Sequence, residues 1–155
     1  MSDRHFRGDP DEAGDRSHSR RFEWPVRVYY EDTDAGGVVY HANYLKFLER
    51  ARTERLRAMG FEQDELQKRD GILFAVKSLD VNYLKPARFN DALLVTADLG
   101  EVKHVSVTFN QRVFRETEPR QTLCLARVRV VCLAVADLRL RPIPEYLLQR
   151  MKHGT

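Results

Sequence analysis

The chain has 155 residues, 43% of them hydrophobic and 32% charged, which supplies the core of one compact domain and is too short for two of ordinary size. A net charge of +3 is too small and too dispersed to argue for a nucleic-acid partner. No apolar run approaches the roughly 18 residues of a membrane span, and the beginning lacks the apolar segment of a secretory signal, so the expectation is a cytoplasmic protein with no integral membrane segment.

Residues 1–23 hold five arginines against six acids with almost no apolar periodicity, which predicts a disordered charged tail before a folded domain over 24–150. The folded part is then mildly basic, as suits an enzyme of anionic substrates. Val26 to Tyr30 reads as a first strand, followed by a loop carrying two aspartates and two glycines. Asn43 to Met59 is the clearest helix, because Tyr44, Leu45, Phe47, Leu48, Ala51, Leu56 and Met59 share one half of a helical wheel, with Gly60 as a left-handed stop. Arg52 and Arg55 intrude on that half. They either reach the rim and pair with Glu49 or another carboxylate, or contact an anionic ligand or a subunit partner.

After a loop through Lys68 to Gly71 come four segments with strand character: Ile72 to Leu84, Ala92 to Leu99, Val105 to Val113 and Thr122 to Ala136. A short helical turn is expected after Pro144. Cys124 and Cys132 fall on one face of the last strand, roughly 26 Å apart at about 3.3 Å per residue. That excludes a disulfide between them and makes them reduced core residues. The five histidines are scattered, so no structural zinc site is expected.

One strand, one long helix and a four-strand antiparallel meander make an α+β domain. The wide apolar face of the helix needs a cover, which predicts a curved antiparallel five-stranded sheet wrapped around one long central helix. Long strands leave edges, and pairing with a second subunit is the expected remedy, giving a homodimer or homotetramer.

The run Tyr30-Glu-Asp-Thr-Asp34-Ala-Gly-Gly-Val-Val-Tyr40-His41-Ala-Asn-Tyr44 packs carboxylates, a flexible backbone and a helix start into one turn. Helix-end N–H groups hold a developing negative charge while a carboxylate serves as base or nucleophile, a combination that suits chemistry on a polarised carbonyl. A phosphotransferase of the haloacid dehalogenase type also carries Asp-x-Asp after a strand. It wants Thr or Val where this chain has Gly36, and alternating parallel strands and helices that are absent. A calcium loop starting at Asp32 meets Gly36 at its fifth place and Asn43, not Glu, at its twelfth. A purely structural reading, with the aspartates capping the helix and shaping the turn, leaves the gathering of Gly36, Gly37, Tyr40, His41 and Tyr44 unexplained.

That run, followed by Phe47-Leu-Glu-Arg-Ala-Arg52, resembles the signature of the hotdog-fold acyl-CoA thioesterases. More narrowly it is similar to the 4-hydroxybenzoyl-CoA thioesterase class and its bacterial branch associated with the Tol-Pal system. Asn82-Tyr-Leu-Lys-Pro-Ala-Arg-Phe-Asn-Asp91 matches that branch too, and the likeness covers roughly residues 25–144. The resemblance implies a helix inside a sheet, acyl-CoA as substrate, no cofactor and no metal. It also implies Asp34 as the catalytic carboxylate, either nucleophile or general base, and the backbone N–H of His41 as the donor to the thioester carbonyl.

The side chain of His41 orients the acyl group or assists proton transfer, or else merely caps and packs at a subunit boundary. Asp32 is expected to stabilise the turn. Gly36 and Gly37 admit a close approach of substrate or simply form the turn, and Tyr40 and Tyr44 are pocket walls or donors. Lys85 and Arg88 are the leading candidates for the CoA phosphates, against a solvated loop, with Arg127 and Arg129 behind them. The rival function is a non-catalytic module binding acyl-CoA or an acyl-carrier protein in the same pocket.

Overall fold

A computed structural model describes residues 21–153. The expected tail lies mostly outside them, and of its last residues Glu23 already belongs to a strand. The elements in order are β1 (Glu23–Arg27), a 3-10 turn (Tyr30–Asp32), α1 (Asn43–Ala58), α2 (Gln63–Asp70), β2 (Ile72–Tyr83), β3 (Ala92–Thr96), β4 (Asp98–Val102), β5 (Ser106–Arg115), β6 (Gln121–Ala134) and α3 (Glu145–Lys152).

All strand pairs are antiparallel, and the sheet runs β1-β3-β5-β6-β2 with β4 also beside β5. The segments β3 and β4 follow one another along β5, with Val95 opposite Val113 and Asp98 opposite Asn110. The predicted strand Ala92 to Leu99 is therefore one line interrupted at the buried Ala97, and the sheet has five lines in six segments. The meander is corrected. Instead of lying beside β3, β2 crosses to the far edge and pairs with β6 along its length, because the wall beside β3 is filled by β1 and β5.

Helix α1 buries Tyr44, Phe47, Leu48, Ala51 and Leu56 and packs against β1, β3 and β5. Each large apolar side chain taken fully out of water contributes about 1.5–3 kcal/mol, so this face holds the helix in the sheet. Gly60, at φ +92°, ends the run, and a Cβ there would come within 2.8 Å of the Arg150 guanidinium. Gln111 staples helix to sheet: its amide donates to the Leu48 and Thr96 carbonyls, both at 3.0 Å, and accepts from Arg52 at 3.1 Å. Arg52 thus pairs with an amide rather than a carboxylate. The Nε of Arg55 is buried without a hydrogen-bond partner among the described residues, its guanidinium lying over Phe22.

Two helices exceed expectation. The sequence of α2 is polar all round, with only Leu66 buried, so no apolar stripe announces it; it ends at Gly71 in a left-handed turn. The expected turn after Pro144 is a helix of eight residues that buries Leu147, Leu148 and Met151. Both cysteines are buried and free. Edge strand β2 leaves Val76, Leu79 and Tyr83 between 42 and 48% exposed.

Candidate active site

Strand β1 delivers the chain into the aspartate loop, and Asp32 locks that loop to the helix. It is buried, and its two carboxylate oxygens accept from the Tyr29 backbone N–H at 2.8 Å and the Asn43 side-chain amide at 2.9 Å. Its carbonyl accepts from the Tyr40 N–H at 2.8 Å. One residue thereby fixes the strand exit, the loop return and the first residue of α1.

Asp34 is exposed. Its N–H and carbonyl bond Val38 and Gly37 at 2.9 and 3.0 Å, and one carboxylate oxygen accepts from the Gly36 N–H at 2.8 Å. A Cβ at Gly36 would lie 3.2 Å from that oxygen, while Gly37 sits at φ +79° with nothing within 4 Å of where its Cβ would be. The loop is closed by the bridge Thr33 to Val39 and tied to the segment after β2 by Val38 to Arg88. This presents the Asp34 carboxylate on a rigid turn open to solvent.

The start of α1 stands next to it. Asn43 donates to the Tyr40 carbonyl at 2.8 Å and Leu45 to that of Ala42 at 3.1 Å, but the N–H groups of His41 and Ala42 have no acceptor among the described residues. These are the orphan donors every helix start leaves, at the positive end of its dipole. The His41 ring is exposed, tilted against Tyr40 at 4.4 Å between centroids and edge-on to Tyr83 at 6.5 Å.

Tyr40 is exposed beside His41, whereas Tyr44 is buried and its hydroxyl accepts from the Ala87 N–H at 3.0 Å. Burial raises the Tyr44 phenol above its ordinary pKa, partly offset by that bond. It therefore holds the loop between β2 and β3 in place. On that loop Lys85 and Arg88 are exposed and form no ion pair among the described residues. The backbone under them is pinned: Arg88 N–H donates to Asp91, and Arg115 binds both Asp91 at 3.0 Å and the Pro86 carbonyl at 2.6 Å. Arg127 lies on β6 opposite Asp80, away from this loop.

The structure thus brings Asp34, Gly37, Tyr40 and His41 together, with Lys85 and Arg88 on the adjoining loop. Three contributors escaped the sequence reading. Asn43 lay inside the quoted motif, Tyr83 inside the second one, and Gln111 broke the alternation Val107, Phe109, Val113 as a lone amide at an inward position.

The chain matches the family described as the thioesterase superfamily over residues 36–121. The chain belongs to that superfamily. Within it stands the acyl-CoA thioesterase YbgC of Haemophilus influenzae, 43% identical over 132 residues that span 85% of this chain and 95% of that one. The acyl-CoA thioester hydrolase YbgC of Escherichia coli O6:H1 is 42% identical over 131 residues, 84% of this chain and 96% of that one. By these measures the chain is a YbgC-like member of the hotdog thioesterases, a family of thioester hydrolases. A 4-hydroxybenzoyl-CoA thioesterase variant solved with 4-hydroxybenzoyl-CoA shares the fold, with a TM-score of 0.78 at 21% identity over 86% of this chain and 99% of that one. Among the described residues no helix is long and apolar enough to cross a membrane.

Proposed function

We propose that this thioesterase hydrolyses acyl-CoA at the Asp34 loop, with the Asp34 carboxylate attacking the thioester carbonyl or drawing a proton from an attacking water. The observation that carries the reading is the exposed carboxylate on the loop leading into a helix start where the His41 and Ala42 N–H groups have no acceptor among the described residues. As the carbonyl carbon is attacked, its oxygen becomes an anion, and the His41 N–H is already oriented for it. A preorganised donor of this kind is worth about 10² to 10³ in rate. Collapse of the tetrahedral intermediate breaks the C–S bond and expels the CoA thiolate. In the base route, the proton taken from water passes to that thiolate, leaving the free acid. In the nucleophile route an anhydride to Asp34 forms first, and water cleaves it.

Gly37 leaves open space beside the carboxylate, Tyr40 flanks the acyl group, and Tyr44 supports the loop from beneath. Lys85 and Arg88 face solvent as partners for the CoA phosphates. We further propose a homodimer through the free edge of β2. The His41 turn lies at the Tyr83 end of that strand, while Phe74 and Val76 at its other end line a cavity of about 110 Å³ with Arg52, Leu56, Phe109 and Val130. Antiparallel pairing of two copies of β2 sets the Tyr83 end of one beside the Val76 end of the other. That favours an acyl group attacked by Asp34 of one protomer and housed by its partner.

The test is steady-state hydrolysis of an acyl-CoA panel, followed with a free-thiol reagent. Asp34→Asn is expected to lower kcat by about 10³ or more, in the range of losses for a nucleophile or base, with the melting temperature preserved. Equal turnover by the variant would sink the assignment. Binding of CoA thioesters by the wild type without turnover would favour the non-catalytic module.

A further inference from the structure

Tyr83 is 48% exposed at the end of edge strand β2, yet its hydroxyl donates to the His41 carbonyl at 2.7 Å. Its ring is fixed edge-on to Tyr44 at 5.3 Å, and Cys124 is its neighbour across the strand pair. In a regular helix the His41 carbonyl would accept from Leu45. Here the Leu45 N–H turns to Ala42 instead, so that carbonyl stands outside the helical ladder and the phenol takes it. The same peptide unit carries the Ala42 N–H, which, like that of His41, has no acceptor among the described residues. By contrast, the peptide unit of the His41 N–H is fixed from within the turn, through Asn43 to the Tyr40 carbonyl.

We propose that Tyr83 is a positioning residue for thioester cleavage, fixing the 41–42 peptide plane and polarising it so that the Ala42 N–H becomes a second oxyanion donor beside that of His41. The proposal rests on the Asp34 loop being the site of hydrolysis. A carbonyl that accepts a hydrogen bond makes its own amide a better donor, since bonds in a chain strengthen one another by roughly 10–30%. The phenol remains a donor at working pH, because burial first and Cys124 second raise its pKa. Packing alone does not explain the residue, as a phenylalanine would make the same ring contacts.

Tyr83→Phe keeps the ring and removes the donor. Its kcat should fall on the order of ten-fold, a fraction of the loss from deleting an oxyanion donor outright, with KM and the melting temperature unchanged. The Ala42 amide proton should move upfield in a ¹⁵N–¹H spectrum. Incorporating 3-fluorotyrosine at position 83, assayed below its ionisation, should raise kcat above wild type, which a structural role would not produce. A Tyr83→Phe enzyme with unaltered kcat, or a loss confined to KM or stability, would overturn the positioning role while leaving hydrolysis at Asp34 intact. A wild type inert to every acyl-CoA would instead overturn the thioesterase site, and the positioning role with it.

Discussion

Asp32 and Asp34 stand two residues apart and differ in almost everything that governs how a carboxylate is used. Asp32 is buried with both oxygens engaged by donors, so its charge is spent on holding the turn. Asp34 faces solvent, and among the described residues its carboxylate accepts only from the Gly36 N–H, which leaves lone pairs for the role proposed for it. The buried thiols belong to neither role. Burial pushes Cys124 up to about 12 and Cys132 to about 11, Arg141 pulling the latter back slightly. In the unfolded chain these thiols ionise near their ordinary value of about 8.5, so above that pH the fold binds more protons than the unfolded chain. Their contribution to stability is full below about 8.5 and is lost as pH climbs toward 11–12. Thermal melts from pH 8 to 10.5 should therefore fall, and fall less steeply in Cys124→Ala/Cys132→Ala. A parallel slope in the double variant would show that the thiols are not the cause. Asp34 and His41 were singled out in sequence because the spacing around them resembles the family's signature. Tyr83 was not, since one aromatic at a strand end has no periodicity to mark it.

At the scale of elements, helix α1 was readable because seven apolar positions share one face of it, and β5 and β6 because they alternate. The polar α2 had no such signal, and the crossing of β2 to the far edge is a long-range choice that local pattern does not encode. The lone amide in the alternation of β5 is where pattern and chemistry part. Gln111 occupies an inward position because it satisfies carbonyls on α1 and β3 and the half-buried Arg52, whose pKa is lowered by desolvation and partly restored by Glu49. Gln111→Leu leaves those groups without their partner. Each orphaned buried polar group costs about 1–3 kcal/mol, so urea unfolding should show a loss of at least about 2 kcal/mol. A neutral result would mean that the carbonyls keep other donors and the staple is dispensable.

For the whole molecule, the expected helix within a sheet is what forms, and the exposed edge of that sheet is where the proposed dimer would assemble. Val76, Leu79 and Tyr83 on β2 expose apolar surface along a strand with no further strand partner among the described residues. If the proposed dimer forms through this edge, Leu79→Asp, at a residue already 42% exposed, should leave the fold intact and shift the protein to monomer in analytical ultracentrifugation, with activity lost in step; an unchanged sedimentation profile would argue against that dimer. Mixing Asp34→Asn with a Val130→Trp cavity variant should restore turnover if each site draws on two copies, and no recovery would argue for sites contained in one. The same strand holds a subtler constraint. Between Val76 and Ser78 the pairing with β6 slips by one, leaving Lys77 as an extra residue. The positions on the helix side of the sheet are even-numbered before it, at Ile72, Phe74 and Val76, and odd-numbered after it, at Leu79, Val81 and Tyr83, so a single supernumerary lysine reverses the strand's parity. Without that reversal a regular strand could not turn both the cavity wall and the tyrosine clamp toward the helix. Lys77 thus acts as a phase shift between the part of β2 that lines the cavity and the part that holds the His41 carbonyl.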